Sequence, residues 1–376
     1  MEKYVDEKYS CICEETHCGK AKEFLDFIRR SNEHWHTDND NKLTWIFRGQ
    51  ADANWQLTPS IFRDTFNFSK LNELFYKEWG DQYWNEKKKE SPNNNIYYSD
   101  DNYKKIRSIL DTRDATKLNG FNDWPKAIVV NCLAAQEWFL LYIFLLKLND
   151  CAIAFNNGKT LSNIFGFGSF LTTNRHISKF FEYGFIDKCL EQLGNPNHID
   201  THALKISFAL AQHHRIPTRL LDWTKNPLKA AFFAAKDIKT SEPKAPPLAL
   251  WAVHSDAFYN QTNKCCFIEL LQHLPNSELR FMHAQEGVFT YFQETHSYIY
   301  EECKWPNVLD VLLKQKEKNN IVNFSSSTDK PVKLITLPTS EKDELLRLLD
   351  KEGINKYNLM PSIDMIANSI IEDFIS

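Results

Sequence analysis

Apolar residues along this chain recur with two different periods, and the switching between them predicts a mixed α/β molecule. Within residues 20–35, Ala21, Phe24, Leu25 and Ile28 have helical spacing, whereas Leu43–Arg48 has strand character and is expected to stop at Gly49. A helix is expected from Leu71 to Glu90, with Lys87–Lys89 as its solvated end and Ser-Pro-Asn-Asn-Asn at 91–95 as the loop after it. Ile199–His213 reads as a helix with Asp200 near its start, where a carboxylate suits the exposed N–H groups. A second helix, nearly all apolar and so buried, is expected over 225–238. The C-terminal part reads as a strand (Val332–Leu337), a helix (Glu341–Lys351), a turn at Gly353 and a last amphipathic helix after Met360-Pro361. Neither internal repeats nor a regular strand–helix alternation is present.

The longest apolar run, Ala127–Leu148, has the length of a bilayer span. Its middle holds Asn131, Gln136 and Glu137, and a charged group at mid-membrane costs roughly 2.5–3.5 kcal/mol on insertion scales. A helix buried in protein is the better reading.

Composition changes the picture little. With 43% hydrophobic and 14% aromatic residues, the 376-residue chain can bury a large core in one elaborated domain or two smaller ones. Lys and Arg number 45 against 49 Asp and Glu, so a net charge of -4 gives no global reason to expect a polyanion partner. The nine cysteines are odd in number and lack framework spacing, and no signal-like run follows Met1. These features predict free thiols and a cytoplasmic location. No metal is expected. Cys11, Cys13, Cys18 and His17 lack knuckle spacing, and His198 and His202 lack the intervening Glu of a zinc helix. Gly166-Phe167-Gly168 lacks the lysine and spacing of a phosphate loop.

Candidate chemistry concentrates in Ala211–Ala235, AQHHRIPTRLLDWTKNPLKAAFFAA. Gln212, His213 and His214 close the first helix, Ile216-Pro217 forces an extended exit, and Thr218–Trp223 can form a short strand or turn. Thr224 or Asn226 can cap the second helix, and Pro227 suits its first turn. Arg219 and Asp222 lie beside a buried helix, so each charge must be paired, with the other or with a ligand. Gln212, His213, Thr218, Arg219, Asp222, Trp223 and Thr224 fall within 13 residues, a density more typical of a site than of a core.

Far upstream stand Phe47-Arg48-Gly49-Gln50, Trp55-Gln56-Leu57-Thr58-Pro59-Ser60 and Arg63, and downstream Arg280–Phe289 and GINKYNLMPSIDMIA. Together with Ala211–Ala235 these blocks resemble the FRG domain, over roughly 43–371 apart from an insertion. The resemblance implies an FRG domain over 41–376, with a helical insertion at about 80–198, and residues 1–40 are expected to form a separate N-terminal helical cap. The fold class expected is α+β, a mixed sheet with flanking helices, similar to that of ADP-ribosyltransferases. Two departures stand out: His214-Arg215 replaces an aromatic residue and Gly, leaving no glycine for a left-handed helix C-cap, and Met360-Pro361 replaces Phe-Pro.

FRG domains occur in bacteria and their phages, which implies a defence or toxin-like role without fixing a reaction. In ADP-ribosyltransferases an aromatic-Arg-Gly sequence ends the first strand and its Arg contacts the dinucleotide. That analogy makes NAD the expected substrate and Arg48 its ligand, with Gln50, Gln212, Thr218, Arg219, Trp223 and Gln285 as further substrate-binding residues. Trp223 or Phe232 would supply aromatic surface. Glu286, ranked slightly ahead of Asp222, is the expected carboxylate for an oxocarbenium-like state, and His213 completes the catalytic set. The acceptor, protein or nucleic acid, is open. Two alternatives stand beside this one. A sensing module would use Arg48, Gln50, Arg63, His213 and Arg219 on a nucleotide or nucleic-acid end, with Trp45, Trp55 and Trp223 stacking on bases. A hydrolase would use His213 and Asp222.

Overall fold

The computed structural model describes residues 3–32, 35, 44–63, 66–76, 89, 99–121, 123–151, 201–238, 245–258, 268–272, 280–293, 295–317 and 330–360. The loop at 91–95, the glycines at 158, 166 and 168, His198, Cys265-Cys266 and the last helix after Met360-Pro361 lie outside them, as does the side chain of His202. The chain divides into two compact units: Met1–Leu57, Leu221–Gln293 and Asn307–Ser376 form the first, and Thr58–Leu220 with Glu294–Pro306 the second.

The first unit is built on a mixed sheet of seven strands among the described residues: β1 (Cys13–His17), β2 (Trp45–Gln50), β3 (Leu220–Thr224), β4 (Leu248–His254), β5 (Ile268–Leu271), β6 (Gly287–Phe292) and β7 (Val332–Leu337). Their order is β1-β7-β4-β2-β3-β6-β5, with helices beside the sheet, an α+β fold. All seven residues of β4 are buried, which explains why LALWAVH shows no apolar–polar alternation. It pairs antiparallel with β2, from Trp45↔His254 to Gln50↔Ala249, and antiparallel with β7 on its other side. β1 adds to β7 in parallel as an edge strand, so residues 1–40 contribute to the sheet.

One face of this sheet carries a core of Trp45, Phe47, Leu248, Leu250, Ala252, Ile335 and Leu337, covered by three helices. The helix Ala21–Ile28 buries the four positions that its periodicity marks, and Lys342–Lys351 buries Leu345 and Leu349. The third, Pro227–Ala235, starts at Asn226, whose side chain accepts from the Leu228 N–H, with Pro227 in the first turn. Here the strand departs from expectation: β2 runs through Gly49 to Gln50. The glycine serves close packing instead of ending the strand. A Cβ on Gly49 would lie 1.8 Å from the Ala230 carbonyl oxygen and 2.7 Å from the Ala234 nitrogen, so the helix backbone rests directly on the strand.

The second unit is helical: Ser69–Phe75, Asp100–Thr112, Asp123–Asp150, Thr201–His213 and Thr295–Glu302. The 28-residue helix Asp123–Asp150 packs against the other four, which accounts for its apolar character around the circumference. Among the described residues no helix is long and apolar enough to cross a membrane. The polar residues in its middle have partners within the unit. Gln136 accepts from Arg113 Nη1 at 2.6 Å and donates to Asn72 Oδ1 at 2.5 Å. Glu137 takes Arg219: Nε at 2.9 Å and Nη2 at 2.6 Å donate to Oε2, and the Arg219 N–H donates to Oε1 at 2.9 Å. Asn131 lies among residues whose side chains are not described.

The missing C-cap glycine is replaced by an arginine in the same conformation. Arg215 has φ 66°, its N–H donates to Gln212 O, and the Ile216 N–H donates to Ala211 O, both at 2.9 Å. This is a Schellman closure, with the left-handed cost carried by a non-glycine residue.

Removing one partner from a buried ion pair leaves an unpaired charge in the core and costs about 3–5 kcal/mol, whereas replacing both by apolar side chains is close to neutral. Glu137→Leu alone is therefore expected to lower the denaturation midpoint sharply. Glu137→Leu with Arg219→Met is expected to recover most of the loss. Equal losses in chemical denaturation of the two variants would contradict the pairing.

Candidate functional site

β2 and β3 lie side by side, with Phe47 opposite Thr224. Asp222 is the one exposed residue of β3, since Leu220, Leu221, Trp223 and Thr224 are buried. Arg48 reaches across from β2: its Nη1 donates to the Asp222 carbonyl oxygen at 2.8 Å and stands 3.7 Å from Oδ2. The side chain of Arg48 is 16% exposed and that of Asp222 is 55% exposed. A largely sheltered guanidinium thus stands beside a carboxylate in solvent.

Neighbouring candidates are bound into the fold of this unit. Gln50 is buried, accepts from Trp251 Nε1 at 2.9 Å and donates to Gln56 O at 3.4 Å. Trp223 is buried with its Nε1 donating to Thr290 Oγ1 at 3.0 Å, and Phe232 belongs to the helix-covered core. Trp55 is exposed, at 53%. Gln285 donates to Leu359 O at 3.2 Å, and its own carbonyl accepts from Thr224 Oγ1 at 2.6 Å.

Glu286 is held from several sides. Its backbone is left-handed, φ 50°, and its carbonyl accepts from the Lys225 N–H at 3.0 Å. The carboxylate receives Arg30, Lys229 Nζ at 2.9 Å and Asn226 Nδ2 at 3.1 Å. Burial alone would raise its pKa, but the hydrogen bonds from Arg30, then Lys229 and Asn226, outweigh it and hold the group down to about 2. The cluster ties the turn before β6 to the first turn of the Pro227–Ala235 helix, where negative charge is also favoured. Lys229 is the lone charge inside that apolar helix and could have been singled out from its sequence. Arg30 carries no such signal.

The remaining candidates belong to the second unit. Gln212 Oε1 accepts from Thr218 Oγ1 at 2.6 Å, and the Thr218 N–H donates to Ser60 Oγ at 3.2 Å. Arg63 Nε donates to Thr58 O at 2.8 Å. His213 is half-buried at the end of the Thr201–His213 helix, edge-on to the His214 ring at 5.2 Å. Arg219 is 1% exposed. Glu137, 82 residues upstream, takes Arg219, and Asp222 faces Arg48. Burial demanded a partner for the guanidinium, and the long helix supplies it.

The family model of the FRG domain matches residues 168–243. That stretch contains all of Ala211–Ala235 and neither Phe47–Gln50 nor Arg280–Phe289. No curated protein and no solved structure matches the chain.

Because the folded pKa of Glu286 lies below the ordinary carboxylate value of 4.5, its stabilisation is complete above that value and is lost as pH falls through about 2. Glu286→Gln is thus expected to be less stable than the unsubstituted protein at neutral pH. The gap should close between pH 4.5 and about 2. Thermal melting across that range checks it, and a gap that widens on acidification would contradict the assigned contacts.

Proposed function

We propose, from the premise that the chain carries an FRG domain, that the first unit holds a nucleotide site of ADP-ribosyltransferase type. Arg48 would grip a phosphate of NAD and Asp222 would face the ribose. The observation that supports this reading is the Arg48–Asp222 contact, a sheltered guanidinium against the one exposed residue of β3. Arginine matches phosphate geometry through paired N–H donors, and one Arg48 donor is already fixed by the Asp222 carbonyl, which sets the plane of the rest. In the reaction the bond from ribose to nicotinamide breaks, and its electron pair leaves with the ring nitrogen. The Asp222 carboxylate stabilises the oxocarbenium charge left behind. Water or an acceptor hydroxyl then forms the new bond to the ribose carbon and releases its proton.

Asp222 takes the carboxylate role in preference to Glu286, because Glu286 already answers Arg30, Lys229 and Asn226. Consumption of NAD, or modification of a protein or nucleic acid, would fit a toxin-like role in bacterial defence. A second reading is a nucleotide sensor without turnover. It is favoured by the same pair, since Arg48 partly neutralises the carboxylate that catalysis would need.

Nicotinamide release from NAD by the purified protein, beside NAD binding by calorimetry, separates the two. Turnover that falls at least about a hundredfold in Arg48→Ala and in Asp222→Ala is the expected outcome. Binding without release, lost in Arg48→Ala, would establish the sensor. Neither binding nor release would sink both.

A further inference from the structure

Arg113 is a buried cation that takes no part in the proposed nucleotide site. It follows the Asp100–Thr112 helix with φ 51°, in the left-handed region, and is 5% exposed. Its guanidinium lies between two aromatic faces, 4.7 Å from the Phe68 ring centroid and 4.8 Å from that of Trp305. Trp305 is itself fixed, with Phe62 stacked against it at 4.8 Å and its Nε1 donating to the Arg113 carbonyl at 2.6 Å. Nη1 donates to Gln136 Oε1 at 2.6 Å. Position and plane of the group are therefore set by rings on both sides and one strong hydrogen bond.

The other edge is different. Nε and Nη2 are buried, and among the described residues no polar atom hydrogen-bonds to them. These two nitrogens carry the parallel N–H pair with which an arginine takes a carboxylate or phosphate side-on. Two other arginines use that same edge on carboxylates: Arg219 on Glu137, and Arg347 on Glu344. In Arg113 it is presented without an oxyanion from the described residues. Glu137, the carboxylate that acts on it electrostatically, gives its oxygens to Arg219. Asp111 Oδ1 is engaged by Tyr76 OH at 2.9 Å and Asn72 Nδ2 at 3.2 Å.

Magnitudes decide whether the aromatic slot suffices by itself. Cation–π contacts are weak beside the cost of burying a charge, which stays large even after relaxation. Two unmatched N–H groups add to that cost. Among Arg113, Arg219 and Glu137 there is one positive charge in excess. The pKa of His296 is lowered by burial and then by Arg219, while burial brings Arg113 down to about 10. An anion on the Nε–Nη2 edge would correct the charge imbalance and both orphaned donors at once.

We propose that the Nε–Nη2 edge of Arg113 is a recognition site for the oxyanion of a small ligand, a carboxylate or phosphate group. The site is independent of the NAD reading, since it uses none of the same residues.

Titration calorimetry on the full chain, with inorganic phosphate in one arm and acetate in the other, tests it and separates the two sources. One arm is expected to show saturable binding near one equivalent. Arg113→Lys, which keeps the charge and loses the fork, should weaken it at least about tenfold. Arg347→Lys, whose fork is on the surface and already paired, should bind like the unsubstituted protein. Absence of binding in both arms, or equal binding by Arg113→Lys, overturns the proposal. Should Arg113→Lys not fold, protein labelled with isotopic arginine decides: the anion should shift one Nε–H resonance, and no shift in any overturns it.

Discussion

The contact on which the first unit depends is that between Gly49 and the backbone of the Pro227–Ala235 helix. A strand and a helix seldom approach closely enough for a single methyl group to reach 1.8 Å from a helix carbonyl, and only a residue without Cβ permits it. The alanines of the helix, Ala230, Ala231, Ala234 and Ala235, are the other half of the same fit, small enough to lie on β2 with no gap. Two sequence blocks about 180 residues apart are thus halves of one packing surface. The strand so held carries Arg48 one residue before Gly49, and the chain entering the helix passes through β3 and Asp222 just before it. The pairing of Arg48 with Asp222 follows from that packing.

In the second unit the organising constraint is charge in an apolar interior. The helix Asp123–Asp150 touches the other four described helices of the unit, so its buried polar residues must be matched. Glu137 meets the fork of Arg219, and Gln136 bridges Arg113 and Asn72. A buried ion pair adds little net stability compared with apolar side chains, yet each partner makes the other indispensable. Arg113, held by rings and one amide, has no such carboxylate among the described residues and stands out for that reason.

Much of this was legible in the sequence. Spacing alone marked Ala21, Phe24, Leu25 and Ile28 as a buried face, and Val332–Leu337 as a strand. Asn226-Pro227 marked a helix start. Polar residues within Ala127–Leu148 pointed to a helix buried in protein, and the structure pairs two of them. Less legible was β4, the centre of the sheet, because a short run buried on both faces has no period to detect. β1 escaped for the opposite reason: Cys-Glu-Glu-Thr-His at a sheet edge looks like a loop. For the candidate site, the need to pair Arg219 could be read locally, but the partner lay 82 residues away in a segment read only for its hydropathy. The clamp on Glu286 was equally hidden, because Arg30 meets it only through the fold. Gly49, read as a stop, has a role visible only when the helix lies on it.

If the Gly49 contact organises the first unit as described, adding one methyl group there should loosen both partners together. Residue-resolved hydrogen exchange of Gly49→Ala against the unsubstituted protein measures this directly. Overpacking at such a contact costs about 1–3 kcal/mol or more. The expected result is a parallel loss of protection in β2 and in the Pro227–Ala235 helix, with β1 and β7 much less affected. Unchanged protection in both, or loss in one with the other intact, would contradict the account.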